Sequence, residues 1–253
     1  MLYRRLGMSK SIEVFEAIPV MRKNPTVVTG FAGPGFIGNT AAMYIIRGKG
    51  FKMKAYVEST MIPPMVMILE GRPEHAIRIY GSEEDDFFFI VSEIMLTTEN
   101  AWRIGYEIME WLKDKGVREV VSIEGMPISL PRSDSVVLGF SEDRDMSKYN
   151  IQRVTESAVS GINASIIDWC IKHKVSWSSL FVPTNMMASI DFKGAVAVIE
   201  ALNRMFKFGV DTSLLIKRYE AFRQAAEVKK GSKPGILGKI RGSLSSNSGI
   251  ASD

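Results

Sequence analysis

The hexapeptide Gly33-Pro34-Gly35-Phe36-Ile37-Gly38 has the glycine spacing of a dinucleotide-binding loop. It follows the apolar run Thr26-Val27-Val28-Thr29, which predicts a buried strand, and precedes a helical pattern that opens at Asn39. At such a turn the free amides of the helix's first residues can hold a phosphate. Glu58 lies twenty residues beyond Gly38, at the end of a strand-like run over 53–57. There an acidic side chain would grip a ribose in a Rossmann unit. The same glycines have a structural use, since they permit a tight turn and a close approach of helix to sheet.

The residues that follow argue for the structural use. A parallel sheet needs crossovers of about a dozen residues or more. The runs at 65–69, 76–80 and 87–91 are separated by about six residues each, a length typical of hairpins. Where a crossover helix should follow Glu58 stand Pro63-Pro64, then the turn signals Glu70-Gly71-Arg72-Pro73 and Gly81-Ser82-Glu83. Pro34 also removes one amide from the turn that would face a pyrophosphate.

Other chemistry is sparse. His75 precedes a strand and His173 ends a helix among lysines, so neither forms part of a triad or a metal set. No P-loop, HExxH or CxxC is present. Glu83-Glu84-Asp85-Asp86 reads as a solvated hairpin tip rather than a cation site. Cys170 falls on the apolar line Ile162, Ile166, Cys170 of a helix and is expected in the core. No catalytic residue, metal or cofactor is expected. In an α/β sheet, loops at the carboxyl ends of parallel strands share one rim. The ligand-binding candidates are therefore Gly33, Gly35, Phe36, Gly38, Asn39, Glu58, Glu124 and Asn185, converging on one crevice.

The elements that must position these residues alternate. Helices are expected over 97–115, with Trp102, Tyr106, Met109 and Leu112 on one face, over 161–174, over 191–206 and over 212–228, the last capped by Asp211. Strands are expected over 117–123, 134–140, 151–154 and 179–183. The pattern implies a single α/β domain over 1–228, with a mixed sheet covered on both faces. Residues 229–253, rich in Gly, Ser and Lys, read as a disordered basic tail.

Composition narrows the class. The chain has 253 residues, 46% hydrophobic, with no apolar run long enough for a membrane span and no export signal at its start. One cysteine excludes an internal disulfide and suits the cytoplasm. The net charge of +4 sits largely in the tail, where no aromatic residue is interleaved for base stacking. That argues for a solvated tail rather than a nucleic-acid partner.

The order of segments resembles the proteasome assembly chaperone 2 family. The resemblance is carried by the loop at 30–39 with its Ala41-Ala42 helix, by Pro63-Pro64 before a strand and Gly71, and by Glu124-Gly125 after the middle strand. The Gly161 helix, the 191–206 helix and Val210-Asp211 complete it, and together these features span roughly residues 12–225. The resemblance implies a three-layer αβα fold with a mixed central sheet, similar to the nucleoside phosphorylase-like fold. It also implies self-association into trimers or tetramers, and binding to protein subunits of the proteasome core rather than catalysis. The alternative is an enzyme or sensor that binds a nucleoside or nucleotide at the 33–39 loop. Relatives that dock on the proteasome use a C-terminal tail ending in a hydrophobic residue, a tyrosine and one more residue, whereas this sequence ends Ala251-Ser252-Asp253. The 231–253 segment or a folded surface could serve instead, and the expected contact surfaces are the 212–228 helix and the 126–133 loop.

Overall fold

A computed structural model describes residues 12–21, 23–129, 135–185 and 189–231. In chain order, β1 (Ile12–Glu16) and β2 (Thr26–Phe31) lead through a 3₁₀ turn at Pro34–Phe36 into α1 (Ile37–Lys49) and β3 (Lys52–Ser59). A small hairpin, β4 (Met67–Leu69) and β5 (Arg72–Glu74), precedes a second one, β6 (Ile77–Gly81) and β7 (Phe87–Ser92). Then come α2 (Thr98–Asp114), β8 (Glu119–Pro127), β9 (Leu138–Ser141), β10 (Gln152–Arg153), α3 (Gly161–His173), β11 (Ser176–Thr184), α4 (Phe192–Phe206) and α5 (Ser213–Gly231).

Nine strands form one sheet in the order β1-β3-β6-β7-β2-β8-β11-β9-β10. The four central strands, β7, β2, β8 and β11, are mutually parallel, while β1, β3, β6 and β7 pair antiparallel in series and β9 lies antiparallel to β11. Helices α1 and α4 cover one face and α2 and α3 the other, which gives three layers. Strand pleating decides which side chain meets which layer. Along β2, Val27 and Phe31 join the core under α2 and α3, while Val28 joins the core under α1 and α4. β2 is buried at all six positions, as a strand covered on both faces must be.

The hairpins expected after Glu58 are present, and among the described residues no helix occupies 59–75. Gly116, at φ +74°, follows Lys115, the C-cap of α2. Two expectations are corrected. The packed face of α2 is Ala101, Ile104, Gly105, Ile108, Met109 and Leu112, not the aromatic line, and Trp102 lies outward, 47% exposed. The reason is steric: a Cβ on Gly105 would lie 1.9 Å from Ser165 Oγ, so small residues mark where α3 crosses. Trp102 and Tyr106 instead stack on each other beneath the Lys172 ammonium. The acidic tip is not wholly solvated either. Asp85 is buried, pairs with the buried Lys54 at 2.7 Å and accepts a hydrogen bond from the Met21 amide.

Cys170 is fully buried, and burial pushes its thiol up to about 12. Among the described residues no helix is long and apolar enough to cross a membrane. The tail from 232 onward, and 130–134 within the 126–133 loop, lie outside the described residues.

Candidate functional site

The carboxyl ends of β7, β2, β8 and β11 open on one rim. The helix after β2 goes to one face and the helix after β7 to the other, so the chain parts at this rim and leaves a crevice. A cleft of about 190 Å³ lies there, lined by Gly33, Gly38, Glu124, Gly125 and Asn163, with Phe31, Met95 and Ile162 as apolar wall.

The glycine loop is held closely by its neighbours. Gly35 (φ +67°) and Phe36 (φ +48°) are both left-handed, and the Phe36 amide returns to the Gly33 carbonyl at 2.9 Å. A Cβ on Gly125 would stand 2.0 Å from the Pro34 carbonyl oxygen, so only glycine on β8 lets the loop lie this close. A Cβ on Gly30 would meet Ala42 Cβ at 2.4 Å and the Gly38 carbonyl at 2.7 Å, and this is the close approach of α1 to β2. Asp191 ties the far side. Its amide donates to the Gly35 carbonyl at 2.9 Å, and its carboxylate caps α4 by accepting from the Gly194 amide at 2.8 Å.

At the base of the cleft, pleating turns Thr29 and Glu124 toward α3. Thr29 donates to Asn163 Oδ1 at 2.7 Å, and Asn163 Nδ2 donates to Glu124 Oε1 at 2.6 Å. Thr29 and Asn163 are buried. Among the described residues, Asn163 is the one hydrogen-bond partner of Glu124, and no cation pairs with it. Burial therefore pushes its carboxyl up to about 7, against the opposing pull of the Asn163 hydrogen bond.

A second carboxylate, Glu93 just beyond β7, faces the α1 side. It accepts from the fully buried Arg78 at 2.6 Å and from Asn39 Nδ2 at 3.3 Å, and Asn39 also donates to the Ser92 carbonyl. Sequence reading missed Arg78, Glu93, Asn163 and Thr29. Arg78 carried a signal, because a cation between Ile77 and Ile79 in a buried strand requires a partner.

The structure thus brings Gly33, Gly38 and Glu124 into one cleft and buries Gly35 beside it. Phe36 opens α1, and Asn39 turns to Glu93. Two residues stand apart. Glu58 lies on β3, separated from β2 by β6 and β7, and lines a groove of about 750 Å³ with Pro63, Pro64 and His75. Asn185 is exposed beyond β11 and lines no part of the cleft. The separation of Glu58 follows from the hairpin inserted between β3 and β2, where a Rossmann unit would place the two strands side by side.

A space of about 190 Å³ is smaller than the roughly 300–1,000 Å³ of sites for drug-sized ligands. The one ionisable group in its wall is a carboxylate, which repels phosphate when ionised. The sequence profile of the PAC2 family matches residues 27–229. The chain belongs to the PAC2 family. Among solved structures, it is similar to Pyrococcus furiosus PbaA, an archaeal homolog of proteasome-assembly chaperone. That match has 23% identity and a TM-score of 0.81, over 92% of this chain and 97% of that one. Pyrococcus furiosus PbaB, an archaeal proteasome activator, is similar at 16% identity with a TM-score of 0.76, covering 88% of this chain and all of that one. In sequence, the uncharacterized protein MJ0106 of Methanocaldococcus jannaschii is 24% identical over 217 residues, 85% of this chain and 89% of its own length. Within this PAC2 fold the glycine loop packs closely against β8 and Asp191 at the sheet rim.

Proposed function

We propose that the protein is a non-catalytic, cytoplasmic assembly chaperone that works as a homo-oligomer, a trimer or tetramer, and offers folded surfaces to partner protein subunits, those of a proteasome core foremost. Family membership supports this reading, and so does the likeness of fold to PbaA and PbaB. The observation that carries it on the molecule is apolar exposure. The β4–β5 hairpin and its approach leave Met65, Val66 and Ile68 at 47%, 66% and 66% exposure beside the 750 Å³ groove. Three large apolar side chains exposed within four successive positions suit a surface that another protein covers. The start of α5 adds Leu214 and Ile216, both exposed, while Leu215 between them is buried. This fits the 212–228 helix as a contact surface.

The test is binding between purified components. Mixed with proteasome α and β subunits, the full chain is expected to form a stoichiometric complex in native mass spectrometry. Val66→Lys with Ile68→Lys should weaken it at least tenfold without altering the circular dichroism spectrum. Sedimentation should give three or four copies per particle, and a monomer at micromolar concentration would remove the oligomer from the proposal.

A further inference from the structure

The Glu124 cleft has chemistry that subunit docking does not use. Its lining holds one ionisable group, Glu124, with which no cation pairs among the described residues, and the Thr29–Asn163 chain of hydrogen bonds holds that group in place. The network occupies Oε1 and leaves Oε2 without a partner. Around it the wall is apolar, with Phe31, Ile94, Leu96 and Ile162 at the sides and Met95 62% exposed. We propose that this cleft binds a primary ammonium group carried on a short aliphatic stem, with the ammonium on Glu124 and the stem along Phe31, Met95 and Ile162.

The choice of ligand follows from what the cleft can accept. A half-buried carboxylate with no countercharge among the described residues is partly desolvated at a cost that a cation relieves. A phosphate or carboxylate would meet like charge. A guanidinium fork seats on both carboxylate oxygens at once and would have to share one of them with the Asn163 amide. An ammonium acts as a compact point charge and needs only the other. The volume of about 190 Å³ suits a stem of a few carbons. Burial that raises the Glu124 carboxyl to about 7 adds that the group is ionised, and so competent, only above neutrality. Two sources carry this chemistry: a free small amine, and a lysine side chain of another polypeptide. The site is independent of the β4–β5 surface, so failure of either proposal leaves the other standing.

The experiment follows the ¹⁵N-labelled full chain by NMR while n-butylammonium chloride is added at pH 8. Saturable shifts are expected at the Gly33 and Gly125 amides and the Asn163 side-chain amide. Neither n-butanol, which lacks the charge, nor tetramethylammonium, which lacks N–H, should reproduce them. Lowering the pH to 5.5 should weaken binding at least tenfold, as Glu124 gains its proton. Glu124→Gln should abolish the shifts. Gly33→Leu serves as a second variant, because a Cβ at Gly33 meets nothing within 4 Å and its backbone is extended, so the change narrows the cleft without strain. If Nα-acetyl-lysine methylamide produces the same saturable shifts, the source is a lysine side chain. If only n-butylammonium does, it is a free amine. Absence of a saturable shift with n-butylammonium in a well-dispersed wild-type spectrum, or equal shifts in Glu124→Gln, would overturn the proposal.

Discussion

Glu124 and Gly125 adjoin on β8 and do different work. The folded chain holds the Glu124 carboxyl at about 7, above its ordinary value of 4.5. A raised carboxyl contributes stability that is complete below its unfolded value and is lost as pH climbs through its folded value. Folding stability should therefore decline between about pH 4.5 and 7 on this account, by an amount on the order of 3 kcal/mol. Glu124→Gln should flatten that part of the profile in urea titrations, and an unchanged slope would remove Glu124 as its cause. Gly125 carries the loop. Gly125→Ala drives a methyl into the Pro34 carbonyl and should cost about 1–3 kcal/mol in the same assay, while Gly33→Ala, facing open space, should cost almost nothing. For the same reason Gly35, left-handed and placed so that an added Cβ would stand 3.1 Å from Asp191 Cβ and Thr184 Oγ1, is a poor place to test ligand binding, since substitution there deforms the loop itself.

Between elements, close contacts between small groups set the geometry. The α2–α3 crossing rests on Gly105 against Ser165, so Gly105→Ala should destabilise by about 1–3 kcal/mol, and adding Ser165→Ala should restore part of the loss. Additive losses would mean that the helices do not approach each other here. This contact also shows what was legible in sequence. Apolar periodicity located α2, α3 and α4 to within a residue or two, and Pro63-Pro64 with the short spacers announced hairpins instead of a crossover helix. Periodicity misplaced the packed face of α2, because aromatic residues dominate an apolar pattern while Ala101 and Gly105 decide the approach. The rim was readable as a place, through Gly33, Gly38 and Glu124. Its second layer was not, because Asn163 meets Glu124 across 39 residues and Thr29 meets Asn163 across 134, separations that no local pattern encodes.

Across the whole molecule, a mixed sheet with a parallel centre positions the rim, and the antiparallel strands from β1 to β7 extend it into a second surface. That extension moves Glu58 away from the glycine loop and places Pro63-Pro64 beside the groove, next to the exposed Met65, Val66 and Ile68. The buried Arg78–Glu93 pair sits where the antiparallel strands join the parallel ones. Removing only its cation, Arg78→Met, should cost about 1–3 kcal/mol in thermal or chemical unfolding, because Glu93, its side chain 20% exposed, is left partly desolvated without its cation. A loss below about 1 kcal/mol would show that the pair is hydrated. The central claim is that this PAC2 chain engages other protein subunits through a folded apolar surface. Native mass spectrometry of the full chain with proteasome subunits tests it most directly. The account predicts a stoichiometric complex that Val66→Lys with Ile68→Lys dissolves. A complex indifferent to both substitutions, or no complex with a folded wild-type chain, would contradict it.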